Sequence, residues 1–468
     1  SISKKNIPAA IELCNEVDTG ALNKLQSFER KLAPLVDAIS KTIESGSRIF
    51  LVGCGATGRL SLCLEAWWRR RNPGSSQVRG LLAGGDLALI HSLEKAEDYP
   101  DFGRRHLIEA NLSKDDLVIG ITEGGETSYV IGAVQHASEF CQNKPFILYC
   151  NEDSILETVA KRCREFIKND KIKNISLPIG PMALSGSTRM QASTILQLAV
   201  GEALQGNKNI SKSCQKLVAA LRRKDRSSAL EHFIKHEGSV YSQGGLITYH
   251  CSADLGMSVL TDTTERAPTF GLNGLENLCE SSSPALASLS IDQGQKPLET
   301  YNLILCRNAH PLEWPEFNNR AGLKRLKGFD LSAKNIERRQ NLAKCHEIVE
   351  ITRGESAYEI LFGENLISYT NTFLADSLLD LIEFKMFLNT HSTLVMGRMG
   401  RFESNVMTWV RPNNYKLIDR TIRYANMLLG GRGEKYSYEE MTRELYKIKQ
   451  SVEEDKSVVE ELVKRLTS

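Results

Sequence analysis

Three short segments of glycine and hydroxyl residues, each following an apolar run, are where this sequence could do chemistry. In the first, Gly53-Cys54-Gly55-Ala56-Thr57-Gly58, the small residues Gly55, Ala56 and Thr57 let backbone N–H groups approach a ligand, and a helix start behind them favours an anion. The spacing is G-x-G-x-x-G, yet Arg69–Arg71 stand where a dinucleotide fold would carry an acidic residue, so a tight turn and a phosphate loop are both readings of it. The second, Thr122–Ser128, gathers Gly124, Gly125, Glu126, Thr127 and Ser128 into a nest of donors suited to phosphate. Its plainer reading is a helix start with Thr127 or Ser128 as N-cap. The third, Leu184–Met190, offers Ser185 and Ser187, more hydroxyls than capping requires. Three such loops at the carboxyl ends of strands converge on the ligand position of an open α/β sheet, and together they point to a phosphorylated small molecule.

The elements behind these loops follow from hydrophobic periodicity. Strands are expected at Arg48–Val52, Val78–Leu82, Leu117–Thr122, Phe146–Asn151 and Ile175–Pro178, with helices around Leu60–Arg70, Tyr129–Gln142 and Asp153–Arg164 between them. That alternation predicts a parallel sheet covered on both faces. A second set of strands is expected at Leu246–Cys251, Ala287–Ile291, Leu303–Arg307 and Ile348–Ile351, followed by a long apolar helix from Asn371 to about Met399. Gly58 and Gly256 leave their strands in matching contexts, 198 positions apart, which suggests internal duplication. The expected division is 1–210, 211–430 and a helical tail 431–468.

Composition narrows the class. The 468 residues carry 59 Lys+Arg against 57 Asp+Glu, a net +2, which argues against a nucleic-acid binder. No apolar run is long enough to span a membrane, and the start carries no signal-peptide core. The 11 cysteines are scattered without metal-type spacing, several inside apolar runs, as expected of a reduced, cytoplasmic protein without disulfides. No nucleotide or metal motif is present, so no cofactor is expected.

With Ala83-Gly84-Gly85-Asp86 and Gly180–Met190 added, the loops resemble the sugar isomerase (SIS) phosphosugar-binding fold, in the branch that holds glucokinase regulatory protein and N-acetylmuramic acid 6-phosphate etherase. Asp262–Gly271 resembles the etherase helix bearing a catalytic glutamate, and Lys385–Thr393 with Ser404–Met407 resembles its lysine-containing segment. The resemblance implies two SIS-type α/β/α sandwiches with parallel sheets, paired as an internal pseudo-dimer, plus short C-terminal helices. It also implies a hexose or amino-sugar 6-phosphate ligand.

The etherase removes a proton beside the sugar carbonyl and expels lactate, using two glutamates. One matches Glu97. The other falls on Trp67 in the first half and on Glu265 in the second, and the lysine falls on Gln197 and Lys385 respectively. One composite site is therefore expected, with loops and Glu97 from one half and Glu265 and Lys385 from the other. The mirror site is expected to be dead, because a strand Leu303–Cys306 runs on without a glycine-hydroxyl loop. The implied function is a sensing or regulatory module with a sugar kinase as candidate partner; an etherase-type lyase using Glu97 and Glu265 is the alternative, and an aldose–ketose isomerase a third. The tail is shorter than the kinase-binding lid of the regulatory protein. By spacing alone Glu97 and Glu265 are surface charges, and Trp67, Trp68 and His391 are core residues; Lys385, on an apolar helix, needs a counter-charge.

Overall fold

The computed structural model describes residues 2–412, 415–431, 433–453 and 456–467. Two five-stranded sheets carry the fold. The first comprises β1 (Ile49–Gly53), β2 (Val78–Leu82), β3 (Leu117–Ile121), β4 (Phe146–Tyr149) and β5 (Lys173–Ser176), in the order β2-β1-β3-β4-β5 and parallel throughout. Its β1 reads Ile-Phe-Leu-Val-Gly and is buried at every position, as expected of a strand covered on both faces.

The second sheet comprises β6 (Leu246–Cys251), β7 (Ala287–Ile291), β8 (His346–Arg353), β9 (Ala357–Phe362) and β10 (Asn365–Thr370), in the order β10-β9-β8-β6-β7. Here the all-parallel expectation is corrected. β7, β6 and β8 are parallel, but β8, β9 and β10 form an antiparallel meander. Three residues join β8 to β9 and two join β9 to β10, too few for a crossover helix. β10 is mostly exposed, as an edge strand with one solvated face should be.

A second correction concerns Leu303–Cys306, which lies not in a strand but in the helix Pro297–Leu305, ended by Cys306 in the left-handed region. A four-residue apolar run does not distinguish strand from helix, and Pro297 at the first helical position was the missed start signal. The long apolar helix begins only at Leu378, where the Ser377 hydroxyl caps the Asp380 N–H. The expected helix over 153–164 is two, Asp153–Val159 and Lys161–Ile167.

Four helices fill the space between the sheets: Ala56–Arg71, Gln191–Leu204, Ala253–Phe270 and Leu378–Arg398. Helix 191–204 is buried at every residue and helix 378–398 at nearly every one, because each has protein on all sides rather than a solvated face. The Cys63 sulfur lies 3.7 Å from the Thr261 hydroxyl, and these residues are 198 positions apart. In a two-fold interface, equivalent residues meet at the axis. The spacing that relates Gly58 to Gly256 thus also relates two residues in contact, so the chain is paired with itself as a pseudo-dimer. Helix Ile7–Ser27 straddles the halves, with Ile7–Cys14 packed into the second core and Ala21–Leu25 into the first.

Candidate functional site

The three loops cluster at the carboxyl end of the first sheet. At the first, Gly53 leaves no room for a Cβ because the Thr57 backbone lies against it, and Gly55 has φ +54°. The Thr57 hydroxyl donates to the Cys54 carbonyl (2.9 Å) and accepts from the Cys54 N–H (3.1 Å), which fixes the turn. No side chain caps helix 56–71, and although the Thr57 N–H bonds to the Cys54 carbonyl at 3.1 Å, the positive end of the helix dipole lies at this loop. Glu97 sits at this loop, where its Oε2 accepts from the Cys54 thiol at 3.4 Å.

The second loop precedes helix Ser128–Phe140. Thr127 stands in the N-cap position, but its hydroxyl is 2.9 Å from that of Thr122 and makes no capping bond. Asn151 and Arg162 hold the loop from outside by donating to the carbonyls of Gly124 (3.0 Å) and Glu126 (2.8 Å). In the third loop Gly186 has φ +72°, and the Ser187 hydroxyl is fully buried with no hydrogen-bond partner. A buried unsatisfied hydroxyl costs about 1–3 kcal/mol, which a ligand oxygen would relieve.

Glu265 comes from the opposite half and ion-pairs with Arg59, one turn into helix 56–71. Arg59 is held by the carbonyls of Ala88 (2.9 Å) and Leu89 (3.2 Å) and by the Ser92 hydroxyl. Both glutamates are therefore gathered at the start of one helix, Glu97 through Cys54 and Glu265 through Arg59. A narrow cavity lined by Ala56, Arg189, Asp262, Glu265, Lys385 and Asn389 lies beside them and has room for about one water molecule, near 20 Å³.

Lys385 is fully occupied in this cavity. Its ammonium donates to the Arg189 carbonyl (2.9 Å), Thr194 Oγ1 (2.8 Å) and Asn389 Oδ1 (2.8 Å), which accounts for all three protons. Burial pushes its pKa down to about 8, against the opposing charge of Asp18. The unfolded chain holds this proton to about pH 10.4. Between about pH 8 and 10.4 the unfolded state therefore binds more protons, and stability should rise with pH. In Lys385→Met, denaturant titrations at pH 7.5 and 9.5 should lose that rise; an unchanged pH dependence would show that another group supplies it.

Residues absent from the sequence expectation complete the surroundings. Arg189 donates to Asp262 (2.8 Å), Ser392 (3.0 Å) and Thr393 (2.8 Å), and Asp262 also binds Arg266 (3.0 Å), which reaches Glu237 at 2.7 Å. His391 stacks on Phe233 at 3.7 Å, and burial holds its pKa near 4, which keeps it a neutral core residue. Helix Tyr415–Gly430 lies over the third loop. The Tyr424 hydroxyl donates to the Ser185 carbonyl at 2.7 Å, and the Arg420 guanidinium lies next to Gly186. Burial pushes Tyr424 up to about 12, with the Glu123 charge adding to the rise, so this donor stays protonated. Arg59 is a charge set into an apolar helical pattern, the one signal that could have drawn attention to it, and Arg189 lies within the third loop itself.

The pseudo-symmetric position in the second half differs in kind. Asp254 stands where the first half has Ala56, putting a carboxylate in the first turn of helix 253–270. It is paired with Arg353, and the Ala253 N–H donates to Gln293 Oε1 at 2.9 Å. A carboxylate at a helix N-terminus repels a phosphate from the same place. This replaces the expected reason for a dead mirror site, which invoked the non-existent strand at Leu303–Cys306.

Residues 31–138 match the model of the glucokinase regulatory protein N-terminal SIS domain. The chain is similar to the N-acetylmuramic acid 6-phosphate etherase of Francisella philomiragia, at 26% identity over 284 residues that cover 56% of this chain and 91% of the relative. It is 34% identical over 185 residues to etherase 1 of Bacillus licheniformis, covering 39% of this chain and 57% of that protein. Among solved structures, tagatose-6-phosphate ketose/aldose isomerase from Escherichia coli aligns with a TM-score of 0.44 and 11% identity, covering 84% of this chain and 92% of that one. Residues 31–138 thus match an SIS domain. The chain is similar to glucokinase regulatory protein over that domain and to the N-acetylmuramic acid 6-phosphate etherases over about half its length.

Proposed function

We propose that this protein binds a hexose or amino-sugar 6-phosphate at the three loops of its first half and acts as a sensing or regulatory module. The observation that carries the reading is the buried, unsatisfied Ser187 hydroxyl beside Gly186, on a loop that also faces Arg420. Phosphate needs neutral donors and one or two cations. Lys385, Arg59 and Arg189 already have their partners, so Arg420 is our candidate for the cation that meets the phosphate. Lys385 then acts as a positioning residue that fixes the Arg189 carbonyl and with it the third loop. In this reading the units 1–210 and 211–430 form one binding unit, the tail from 431 onward contributes no ligand contact, and the cell compartment is the cytoplasm.

A second reading is a lyase of the etherase type. It is favoured by the two carboxylates at the start of helix 56–71 and by the names of the curated relatives. Glu97 and Glu265 would then serve as acid and base, an effect of about 10²–10⁴-fold in rate. Incubation with N-acetylmuramic acid 6-phosphate separates the two. Release of lactate that disappears in Glu97→Gln establishes the lyase. Thermal stabilisation by the sugar phosphate with no lactate supports binding alone, and absence of both effects with every sugar 6-phosphate tried rejects both readings.

A further inference from the structure

A second cavity, about 250 Å³ in volume, lies apart from the loops, where residues Arg307–Leu312 of the second half close over the C-terminal part of helix 56–71. Its polar walls are Glu65, Arg79, Asp86, His106, Arg307 and His310, with Glu109 at the margin. The acids among them already have counter-charges. Arg307 bridges Glu65 (2.8 Å) and Asp86 (2.5 Å), all three buried, and Arg69 adds a contact to Glu65 at 3.0 Å. Glu109 accepts from Arg105 (2.8 Å) and from the Trp314 indole (2.7 Å). Nearby, Arg48 is paired with Asp116 at 2.7 Å.

Arg79 is the exception. Its Nη1 donates to the Ala110 carbonyl at 3.2 Å and its guanidinium packs 5.7 Å from the centre of the Phe50 ring, but among the described residues no carboxylate pairs with it. A half-buried charge without a counter-ion is costly. The guanidinia of Arg307, Arg48 and Arg69 repel it further, against the attraction of Glu65. Beside it, His106 Nδ1 lies 2.7 Å from the Tyr129 hydroxyl. Burial holds His106 near pKa 4 and keeps Tyr129 protonated, so both rings are neutral and His106 lines the cavity as a neutral imidazole. The His310 backbone N–H is fixed on Asp86 at 2.6 Å, which holds residue 310 in the cavity lining.

We propose that this cavity is a binding site for a small oxyanion, a carboxylate or phosphate group on a molecule of few carbons, with Arg79 as its counter-charge and His106 as a neutral imidazole in the wall. The volume lies just below the usual range for small-molecule pockets, about 300–1,000 Å³, which suits a short acid better than a nucleotide. Since its walls come from both halves, the bound anion would clamp residues 307–312 of one half onto the other. Apart from Asp86, at the end of the Ala83–Asp86 segment, none of these residues belongs to the sugar-phosphate loops, so the proposal stands or falls separately from that reading.

Calorimetric titration of the full chain with inorganic phosphate, and separately with acetate, tests it. Arg79→Gln should weaken one anion-binding event by about tenfold or more while leaving the melting temperature without anion unchanged or raised, because an unpaired charge has been removed. Arg79→Lys should keep weakened binding. Ser187→Ala should leave this event intact and affect only the event at the loops. Acetate stronger than phosphate identifies a carboxylate ligand, and the reverse a phosphate ester. Anion binding identical in Arg79→Gln and the unaltered protein overturns the proposal, as does a melting temperature that falls sharply in Arg79→Gln, since Arg79 would then be structurally paired.

Discussion

Glu265→Ala should destabilise the protein by about 3–5 kcal/mol, because it leaves Arg59 as an uncompensated charge in the interface between the halves. The side chains of Arg59 and Glu265 are only 1% and 8% exposed, so water cannot take over the lost ion pair. Glu265→Gln keeps a neutral acceptor for one of the guanidinium N–H groups and should cost clearly less. The pair of variants separates structure from chemistry. If Glu265 only anchors Arg59, Glu265→Gln retains sugar-phosphate affinity; if it exchanges a proton, Glu265→Gln folds and binds but loses turnover. Denaturant unfolding followed by circular dichroism gives the stabilities. Equal stability of the Ala and Gln variants would mean that Arg59 finds another partner, and the composite site would lose its link across the halves.

The second large effect concerns ligand affinity. Arg420→Gln removes the cation beside Gly186, and Ser187→Ala removes the unsatisfied hydroxyl on the same loop. A hydrogen bond to a charged group contributes about 1.5–3 kcal/mol, so Arg420→Gln should weaken sugar-phosphate binding by about 10- to 150-fold. Ser187→Ala should cost less in affinity and leave stability unchanged or raised, since it removes a buried hydroxyl that has no partner to lose. Fluorescence or calorimetric titration with a sugar 6-phosphate measures both. The matching sugar without its phosphate should bind equally weakly to all three proteins. Undiminished affinity in Arg420→Gln would remove helix 415–430 from the site.

The loops were legible in the sequence because glycine and hydroxyl residues beside apolar strands report local backbone geometry, which needs no distant partner. The same holds for β1, β3 and β4, whose burial on both faces makes them continuous apolar runs. The antiparallel meander was not legible. Its strands alternate and are partly polar, and a three-residue connection carries less signal than a crossover helix. Leu303–Cys306 was misread because four apolar residues fit either period.

The ionic contacts of the site were out of reach for a different reason. Arg59 and Glu265 are 206 positions apart, and Arg420 meets Gly186 only because helix Tyr415–Gly430 folds back over the first half. Residue type marked Lys385 as unusual on its apolar helix, whereas only the family resemblance drew attention to Glu97 and Glu265. Only three-dimensional contact shows that the protons of Lys385 are already used, and that Asp254 occupies the place where a second phosphate would sit.

A crystal soaked with a saturating sugar 6-phosphate tests the central claim most directly, because the chain holds two pseudo-symmetric positions and only one is argued to bind. The account predicts one sugar phosphate, its phosphate at the Gly53–Gly58, Thr122–Ser128 and Leu184–Met190 loops, and none at the start of helix 253–270. Equal density at both positions, or density beside Asp254 alone, would contradict it.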